Sequence, residues 1–377
     1  MSSTVKLLGE ICEISTGSTD TKDATENGQY PLFDRSKKVK ASDKYLFDCE
    51  ALIMPGEGAE FLPRHYIGKF DLHQRAYAMF NFSDLVDPQY LYFYLISVKD
   101  YFANNAVGAT VKSLRRRHFT DLEVPLPSLE KQREIVNKLD SAFTEIDLLE
   151  ENLELVEERS NELLYSLLNE SFTYPSAEAD SDIALSSREI KAKMVRLKDV
   201  ISFDKKQGLF DLPYVGLEDI ESNTGSHLGS REPRKVKSNS FAFTSNHLLY
   251  GRLRPYLNKV LLPDFDGHCS TEIFPIKVTE DISREYLYYW FRLPSTVEAI
   301  DGTSTGARMP RANMDEVLEF TIPLPPKEKQ GQIVQKLDTA FAEIELLKAQ
   351  IKIEKDCALA LRQSLLSSAL TQEEAVA

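Results

Sequence analysis

Basic side chains in this chain gather in short clusters whose chemistry suits nucleic acid. The guanidinium fork of arginine matches phosphate oxygens and the O6 and N7 atoms of guanine, while Asn and Gln amides match adenine. The stretch KSLRRRHF, from Lys112, is the densest cluster. The candidate contact residues are Arg64, His65, Lys69, Gln74, Arg75, Lys112, Arg115, Arg116, Arg117, Arg231, Arg234, Lys235, Lys237, Arg252, Arg254, Lys259, Arg308 and Arg311. A single such cluster is more often a solvated surface, so a second observation is needed.

The sequence contains none of the common motifs for nucleotide hydrolysis or metal catalysis. It has no G-x-x-x-x-G-K-[ST] loop, which would cradle the phosphates of ATP. It has no H-E-x-x-H motif and no Cys/His cluster with the spacing of a zinc site. The six histidines form no recognisable acid–base pairing. We therefore predict no catalytic residue and no metal site in this chain.

One short motif is close to part of a methyltransferase site. DPQY (87–90) differs at one position from the Asp-Pro-Pro-Tyr with which amino-group methyltransferases meet a flipped base. The second proline is missing, and no glycine-rich cofactor loop stands upstream. Asp followed by Pro also opens ordinary helices, because proline is tolerated in the first turn. We favour the helix start.

The sequence contains one long internal repeat. PLPSLEKQREIVNKLDSAFTEIDLL, from Pro125, and PLPPKEKQGQIVQKLDTAFAEIELL, from Pro323, are identical at 17 of 25 positions. YLYFYL (90–95) resembles YLYYWF (286–291). The chain is therefore two units, about 1–173 and 194–371, whose ends match and whose middles differ. The basic clusters at 112–119 and 308–311 fall at matching places, which favours paired nucleic-acid sites.

Apolar residues in the repeated segments recur at steps of three and four, which is typical of a long helix with one apolar seam. The first seam continues through Leu163 and Leu167. The predicted helix-pairing residues are Ile135, Leu139, Ile146, Leu149 and Leu153 in the first copy, and Ile333, Leu337, Ile344, Leu347 and Ile351 in the second. Because one such helix cannot bury its seam alone, we predict an antiparallel pair within the chain. Two separate homodimerising coiled coils are the alternative.

The diverged middles alternate short strand-like runs with turn signals, and each ends in an aromatic helix that we expect to pack in the core. The predicted fold class is therefore α+β, with two mixed α/β domains, two long helices that form an antiparallel intramolecular coiled coil, and a pseudo-twofold internal repeat. The predicted boundaries are 1–124 and 194–322 for the mixed domains, 125–173 and 323–372 for the helices, and 174–193 for a linker rich in Ser, Ala and Asp.

The net charge of −14 is unevenly distributed. Residues 1–124 and 194–320 carry −2 each, residues 125–193 carry −9, and residues 321–377 carry −1. Most of the acidity therefore lies in the first helix and the linker, so either mixed domain could hold a basic face.

The cysteines and the hydropathy indicate a reducing compartment. Cys12, Cys49, Cys269 and Cys357 are scattered, without the spacing of a disulfide framework. No apolar run is long enough to cross a bilayer, and the first residues lack the apolar block of a signal peptide. We expect a soluble cytoplasmic protein.

The quoted segments carry a family resemblance. GAT-x-KSLRR followed by PLPSLEKQREIVNKLD closely resembles the specificity subunits of type I restriction–modification systems, and GARMPRANM followed by PLPPKEKQGQIVQKLD matches at the equivalent place. YGRLRPYLNKVLLPDFDGHCSTEIF, from Tyr250, resembles the middle of a target-recognition domain of that family. The resemblance covers essentially the whole chain, in the family's order of recognition domain, helix, recognition domain, helix.

The resemblance implies a non-catalytic DNA-recognition subunit. Each recognition domain would read one half of an asymmetric bipartite target in double-stranded DNA, and the helices would set the spacer and dock two modification (methyltransferase) subunits. Restriction (endonuclease and translocase) subunits would join that core. This chain would hold no cofactor: S-adenosylmethionine would bind the modification subunit, and ATP and magnesium the restriction subunit. A coiled-coil adaptor without DNA readout is the alternative, and a fused methyltransferase using DPQY is the weaker one.

Overall fold

The computed structural model describes residues 4–58, 60–174, 192–306 and 308–371. The chain divides into two compact units, a first unit of Met1–Glu154 with Ile351–Ala377 and a second unit of Leu155–Gln350. Each unit therefore combines one mixed α/β domain with a part of both long helices. Apart from Tyr174, Ala192 and Lys193, the predicted linker lies outside the described residues.

The first unit is built on a six-stranded mixed sheet. Its elements in chain order are β1 (Thr4–Leu7), α1 (Leu8–Ile11), β2 (Glu13–Thr16), β3 (Tyr30–Phe33), β4 (Lys40–Ser42), β5 (Phe47–Pro55), β6 (Arg64–Leu72), β7 (Ala76–Phe80), α2 (Pro88–Ser97), α3 (Lys99–Asn105), α4 (Arg117–Thr120), β8 (Glu123–Leu126) and the start of α5 (Leu129–Phe172). The strand order is β2-β7-β5-β6-β3-β4, with β3 and β6 parallel and the other neighbours antiparallel. Strands β1 and β8 form a separate antiparallel pair, which ends where α5 begins.

Strand β5 shows why this sheet forms. Successive side chains of a strand point to opposite faces. Leu52 and Met54 enter the core that holds α1, α2 and the start of α5, whereas Ala51 and Ile53 enter a smaller core on the other face. Because both faces of β5 are covered, the run ALIM is apolar throughout rather than alternating.

The second unit uses two smaller sheets. Its elements are β9 (Lys193–Arg196), α6 (Leu197–Val200), β10 (Ile201–Phe203), β11 (Gln207–Gly208), β12 (Tyr214–Val215), β13 (Ser240–Phe243), β14 (Leu248–Gly251), β15 (Val260–Leu261), β16 (Gly267–Cys269), β17 (Ile273–Val278), α7 (Arg284–Phe291), α8 (Pro294–Gly302), α9 (Met314–Val317), β18 (Thr321–Leu324) and the start of α10 (Lys327–Thr371). The sheets have the orders β10-β17-β14-β15 and β11-β13-β16-β12, and β9 pairs with β18. The aromatic helix α7 is buried, with Tyr286 and Phe291 at 0% exposure, so its aromatic side chains pack the core as predicted.

The long helices pack antiparallel within each unit. In the first unit Ile135 and Leu139 of α5 share a core with Leu366 and Leu370 near the end of α10. In the second unit Leu168 and Phe172, near the end of α5, share a core with residues 333–337 at the start of α10. The start of each helix thus meets the end of the other. The α+β class, the internal repeat and the paired helices are confirmed.

The buried face of α5 moves partly off the predicted heptad after Ile146. Leu149 is 42% exposed and Leu163 is 73% exposed, so neither of these two seam positions is buried. Beyond Ile146 the covered positions are 150, 153, 157, 160, 161, 164, 167, 168, 171 and 172, so the seam positions 153, 160 and 167 stay covered while 149, 156 and 163 are exposed. A straight α-helix has 3.6 residues per turn, so a 3.5-residue seam drifts off its buried face unless the helices supercoil. In α10 the predicted positions Ile333, Leu337 and Ile351 are buried, and Ile344 and Leu347 are half-buried, as is Leu153 in α5.

Candidate nucleic-acid interface

Two loops of the first unit are joined by main-chain hydrogen bonds beside the densest basic cluster. The amide of Gly58, after β5, donates to the carbonyl of Lys112 (3.0 Å), and the amide of Leu114 donates to the carbonyl of Gly56 (2.8 Å). Val107 and Ser113 exchange two further bonds of 2.9 and 2.8 Å. These bonds hold residues 107–114 in one rigid turn against the loop that follows β5. We call this arrangement the paired-loop frame.

The second unit contains the same frame at the repeat offset. The amide of Arg254 donates to the carbonyl of Pro310 (2.7 Å), and that of Ala312 to the carbonyl of Arg252 (2.9 Å). Thr305 and Arg311 exchange bonds of 3.0 and 3.1 Å, as Val107 and Ser113 do in the first unit.

The glycine that opens both GAT-x-KSLRR and GARMPRANM has a structural reason. Gly108 and Gly306 both have positive φ, 134° and 94°. A Cβ on Gly108 would lie 2.1 Å from the carbonyl oxygen of Val111, which no side chain could tolerate. Glycine therefore lets the frame turn tightly at this point.

In the first unit the frame carries Arg75 and the 112–117 cluster. Arg75 Nη1 lies 2.9 Å from Glu57 Oε1 and 3.0 Å from Oε2. Lys112 Nζ donates to the carbonyl of Ala103 at 3.1 Å. Arg115 and Arg116 are exposed, and within the described ranges neither guanidinium has a hydrogen-bond or ion-pair partner. The frame thus brings together one arginine held by a carboxylate and two that are not held.

His118, at the end of the same cluster, is buried. Its Nδ1 accepts a hydrogen bond of 3.2 Å from the amide of Arg115, and Arg117 Nε lies 3.4 Å from its Nε2. Burial, and then the nearby charges of Arg117 and Arg115, lower the pKa of His118. The ring is therefore neutral at pH 7 and fixes the turn instead of adding a charge to the cluster.

The other candidates of the first unit are engaged with their own domain. Arg64 donates to the carbonyl of Ser36, and His65 Nε2 lies 2.8 Å from Glu50 Oε1. Lys69 Nζ lies 4.6 Å from the ring centroid of Tyr45. Gln74 Nε2 lies 3.4 Å from Asp20 Oδ2. Arg64, His65 and Lys69 lie on strand β6 itself.

In the second unit the frame carries two arginines on one carboxylate. Arg252 Nε lies 3.0 Å from Glu272 Oε2, while Nε and Nη2 of Arg311 lie 3.0 Å from Glu272 Oε1. The Arg252 guanidinium carbon is 5.2 Å from the ring centroid of Phe274, and Lys205 Nζ is 4.2 Å from the same centroid. Sequence reasoning missed Lys205, although the pair KK after Phe203 was the available signal.

The remaining candidates of the second unit differ in whether their charged group already has a hydrogen-bond partner. Arg254 and Arg308 are exposed, and neither side chain has a partner among the residues that the structure describes. Lys259 differs from the prediction, because its half-buried ammonium donates to the carbonyls of Leu217 (2.6 Å) and Ile220 (2.8 Å) and holds the fold.

The stretch from Arg231 to Lys237 is an exposed loop with mixed partners. Arg231 pairs with Asp264 (2.8 Å) and Lys235 pairs with Asp211 (3.0 Å). The Arg234 guanidinium carbon lies 5.4 Å from the ring centroid of Tyr214. Lys237 is exposed, and no described residue pairs with it.

Two buried glutamines, which sequence reasoning also missed, explain the repeated K-Q of both helices. Gln132 Nε2 donates to the carbonyls of Leu85 and Pro127 (2.9 Å each), and its Oε1 accepts from the amide of Asp87 (2.8 Å). Gln330 makes the same three contacts, to residues 281, 325 and 283, at 2.9, 2.9 and 2.8 Å. Each glutamine therefore ties the start of a long helix to the loop before the aromatic helix.

DPQY lies at that tied loop and starts a helix. Asp87 is the N-cap of α2, where its carboxylate accepts from the amides of Gln89 and Tyr90, and Pro88 occupies the first turn. The Tyr90 hydroxyl donates to the carbonyl of Pro125 at 2.8 Å, as Tyr286 does to Pro323 at 2.9 Å. These contacts give DPQY a structural role, as a helix start.

Two further searches cover the described residues alone. They contain no group of three or more His, Cys, Asp or Glu side chains that could hold a metal ion. Among the helices that the structure describes, none has both the length and the apolar character needed to span a bilayer.

Known proteins of one kind are similar to this chain. The family model described as the type I restriction modification DNA specificity domain matches residues 2–158 and again 189–355. The EcoDI specificity subunit of a type I restriction enzyme from Escherichia coli is 26% identical over 97% of this chain and 87% of its own length. The StySPI specificity subunit from Salmonella potsdam is 22% identical over 71% of this chain and 61% of its own length.

The fold has a solved counterpart. A chain from a structure that concerns complex assembly and conformational transition of the type I R-M system superposes with a TM-score of 0.70, at 17% identity. The match covers 98% of this chain and 97% of that one. At this identity the likeness concerns the fold.

Proposed function

Since this chain belongs to the family of type I restriction–modification DNA specificity domains, we propose that its two units read the two halves of one bipartite DNA target. Specificity subunits of type I systems are non-catalytic DNA-recognition subunits, and this chain is one of them. The observation that carries the proposal is the paired-loop frame, which occurs in both units with different basic side chains. One scaffold with two sets of contacts suits a target whose halves differ.

The proposed domain boundaries follow the repeat. We assign residues 1–124 and 194–322 as the two target-recognition domains, 125–173 and 323–372 as the conserved helices, and 174–193 as the linker. The DNA contacts would centre on the two frames, with Arg75, Arg115 and Arg116 in the first unit and Arg252, Arg254, Arg308 and Arg311 in the second. Lys259 is left out because its ammonium is already used.

The long helices are the proposed docking surface for two modification subunits. Apolar side chains remain exposed along both helices, and a bound subunit would cover them. They are Leu148, Leu149, Leu155, Val156, Leu163, Leu346, Ile353, Leu359 and Leu361. The acidic surface of the first helix adds a preference for a basic partner. The modification subunits would bind S-adenosylmethionine and the restriction subunits ATP and magnesium, while this chain, in the cytoplasm, would bind no cofactor.

The helices would also set the spacer. Two pseudo-twofold sites on one chain suit half-sites whose centres lie about one DNA turn, roughly 10 base pairs, apart. The spacer would then be a fixed number of bases that the protein does not read.

Adenine-methylation mapping tests the proposal directly. The chain is expressed with its cognate modification subunit, and methylated adenines are mapped across the host genome. We expect a single asymmetric motif in two parts with a fixed spacer. Exchanging residues 1–124 for another recognition domain should change only one part. Methylation at background level, from a complex shown to assemble, would instead favour a coiled-coil adaptor.

A further inference from the structure

Both frames hold an arginine against a carboxylate, and the two units do so with the charges exchanged. In the first unit the loop after β5 supplies Glu57 and the turn after β6 supplies Arg75. In the second unit the loop after β14 supplies Arg252, and Glu272 stands on the opposite loop. Matching main-chain bonds join the loops, from Gly56 N to Arg75 O (2.8 Å) and from Arg252 N to Glu272 O (2.9 Å). The pair is kept although its members have changed sides, which indicates that the pairing itself is used.

The carboxylate fixes the arginine and leaves part of its fork free. Arg252 gives only Nε to Glu272, and Phe274 lies against its guanidinium. Its two terminal amino groups have no hydrogen-bond partner within the described ranges. Arg75 gives only Nη1 to Glu57. A planar fork held in one orientation suits the O6 and N7 acceptors of guanine, which require a defined angle of approach.

The arginines without carboxylates have different properties. Arg254 and Arg308 in the second unit, like Arg115 and Arg116 in the first, are exposed, and no carboxylate among the described residues pairs with them. Phosphate oxygens accept hydrogen bonds from many directions, and their attraction to a cation depends mainly on its net charge. By contrast Glu57 cancels the charge of Arg75, and Glu272 cancels half the charge of Arg252 and Arg311.

We propose that the carboxylate-held arginines Arg252 and Arg75 read guanine, that the unheld arginines bind phosphate, and that Glu272 and Glu57 are positioning residues. The assignment rests on the DNA-recognition function proposed above and adds to it which side chains decide the sequence.

The test uses the chain assembled with its modification subunits and the duplex found by methylation mapping. Six forms are compared: wild type, Arg252→Lys, Glu272→Gln, Glu57→Gln, the double variant Arg254→Ala/Arg308→Ala, and a control. Affinity is measured for every single-base variant of both half-sites, and for the intact target over a range of salt concentrations. Arg231→Lys is the matched control, because it alters an arginine paired with a carboxylate outside the frame.

We expect Arg252→Lys and Glu272→Gln to relax the same guanine position of one half-site by about 10- to 100-fold in discrimination. Lysine keeps the charge but not the fork, so the salt dependence should keep its wild-type slope. The double variant should bind more weakly at every base and lose about two from the logarithmic salt slope, with unchanged discrimination. Glu57→Gln should relax a guanine in the other half-site.

The proposal is overturned if Arg252→Lys and Glu272→Gln weaken all sequences equally, or if the relaxed position is not a guanine. It is equally overturned if the control relaxes the same base. Because Arg252→Lys leaves Glu272 in place, misfolding of the Glu272 variant would not obscure the result. Failure of the DNA-recognition function would be seen separately, as the lack of a bipartite motif with the wild-type chain.

Discussion

At the scale of single residues, the positions of the basic side chains were easier to predict than the groups they pair with. The basic clusters near 112–117 and 308–311 were visible from the sequence alone. The structure puts each of them beside a paired-loop frame. The pairing of Glu272 with Arg252 and Arg311 was not visible, because the partners lie 20 and 39 residues apart. Nor could the sequence separate Lys259, whose ammonium donates to two carbonyls, from Arg254, which is exposed and has no side-chain partner among the described residues.

The repeated glutamines give a prediction at this scale. Gln132 is fully buried, and Gln132→Ala would leave one amide and two carbonyls without partners. Since each orphaned buried group costs about 1–3 kcal/mol and water can relieve part of it, we expect a loss of about 3 kcal/mol in the free energy of unfolding. Urea unfolding of the isolated chain measures it. Gln332→Ala, on the exposed face of α10, is the control and should cost less than about 0.5 kcal/mol. Equal effects of the two variants would remove the structural role of Gln132.

At the scale of elements, the helices, their antiparallel order and the mixed character of both domains followed from periodicity and repetition. The exact buried face of α5 did not. In the stretch NELLYSLL (161–168) the neighbours Leu163 and Leu164 fit a heptad and its shifted register equally well. Only packing distinguishes them, and Leu164 is the buried one, at 7% exposure. The strands of the two diverged domains were predicted only in outline, because their order depends on contacts far apart in the chain.

The shifted seam predicts unequal effects of two apolar substitutions on α5. Ile146 is 5% exposed and Leu149 is 42% exposed. Ile146→Ala should lower the free energy of unfolding by about 2–4 kcal/mol, because it removes buried methyl groups and leaves a cavity. Leu149→Ala should cost less than about 1 kcal/mol in the isolated chain. Thermal or urea unfolding of both variants decides between the registers, and a larger loss for Leu149→Ala would restore the strict heptad.

At the scale of the whole molecule, net charge was a poor guide and its distribution a better one. A net charge of −14 would ordinarily argue against DNA binding. The acidity is concentrated in α5 and the linker, whereas the frames carry exposed arginines that no described residue pairs with. An acidic helix beside near-neutral recognition domains fits a subunit that binds protein along its helices and DNA through its domains.

The proposed spacer function yields the last prediction. Seven residues are inserted in each helix where the chain passes between units, after Glu154 in α5 and after Gln350 in α10. Insertion in both helices keeps the antiparallel seam in register and lengthens the pair by about 10 Å at 1.5 Å per residue. At 3.4 Å per base pair the spacer should grow by about three base pairs, with both half-sites unchanged. Methylation mapping reads the result. The same insertion in α5 alone puts the seam out of register, so methylation should fall. An unchanged spacer in the double insertion would mean that the helices do not set the distance.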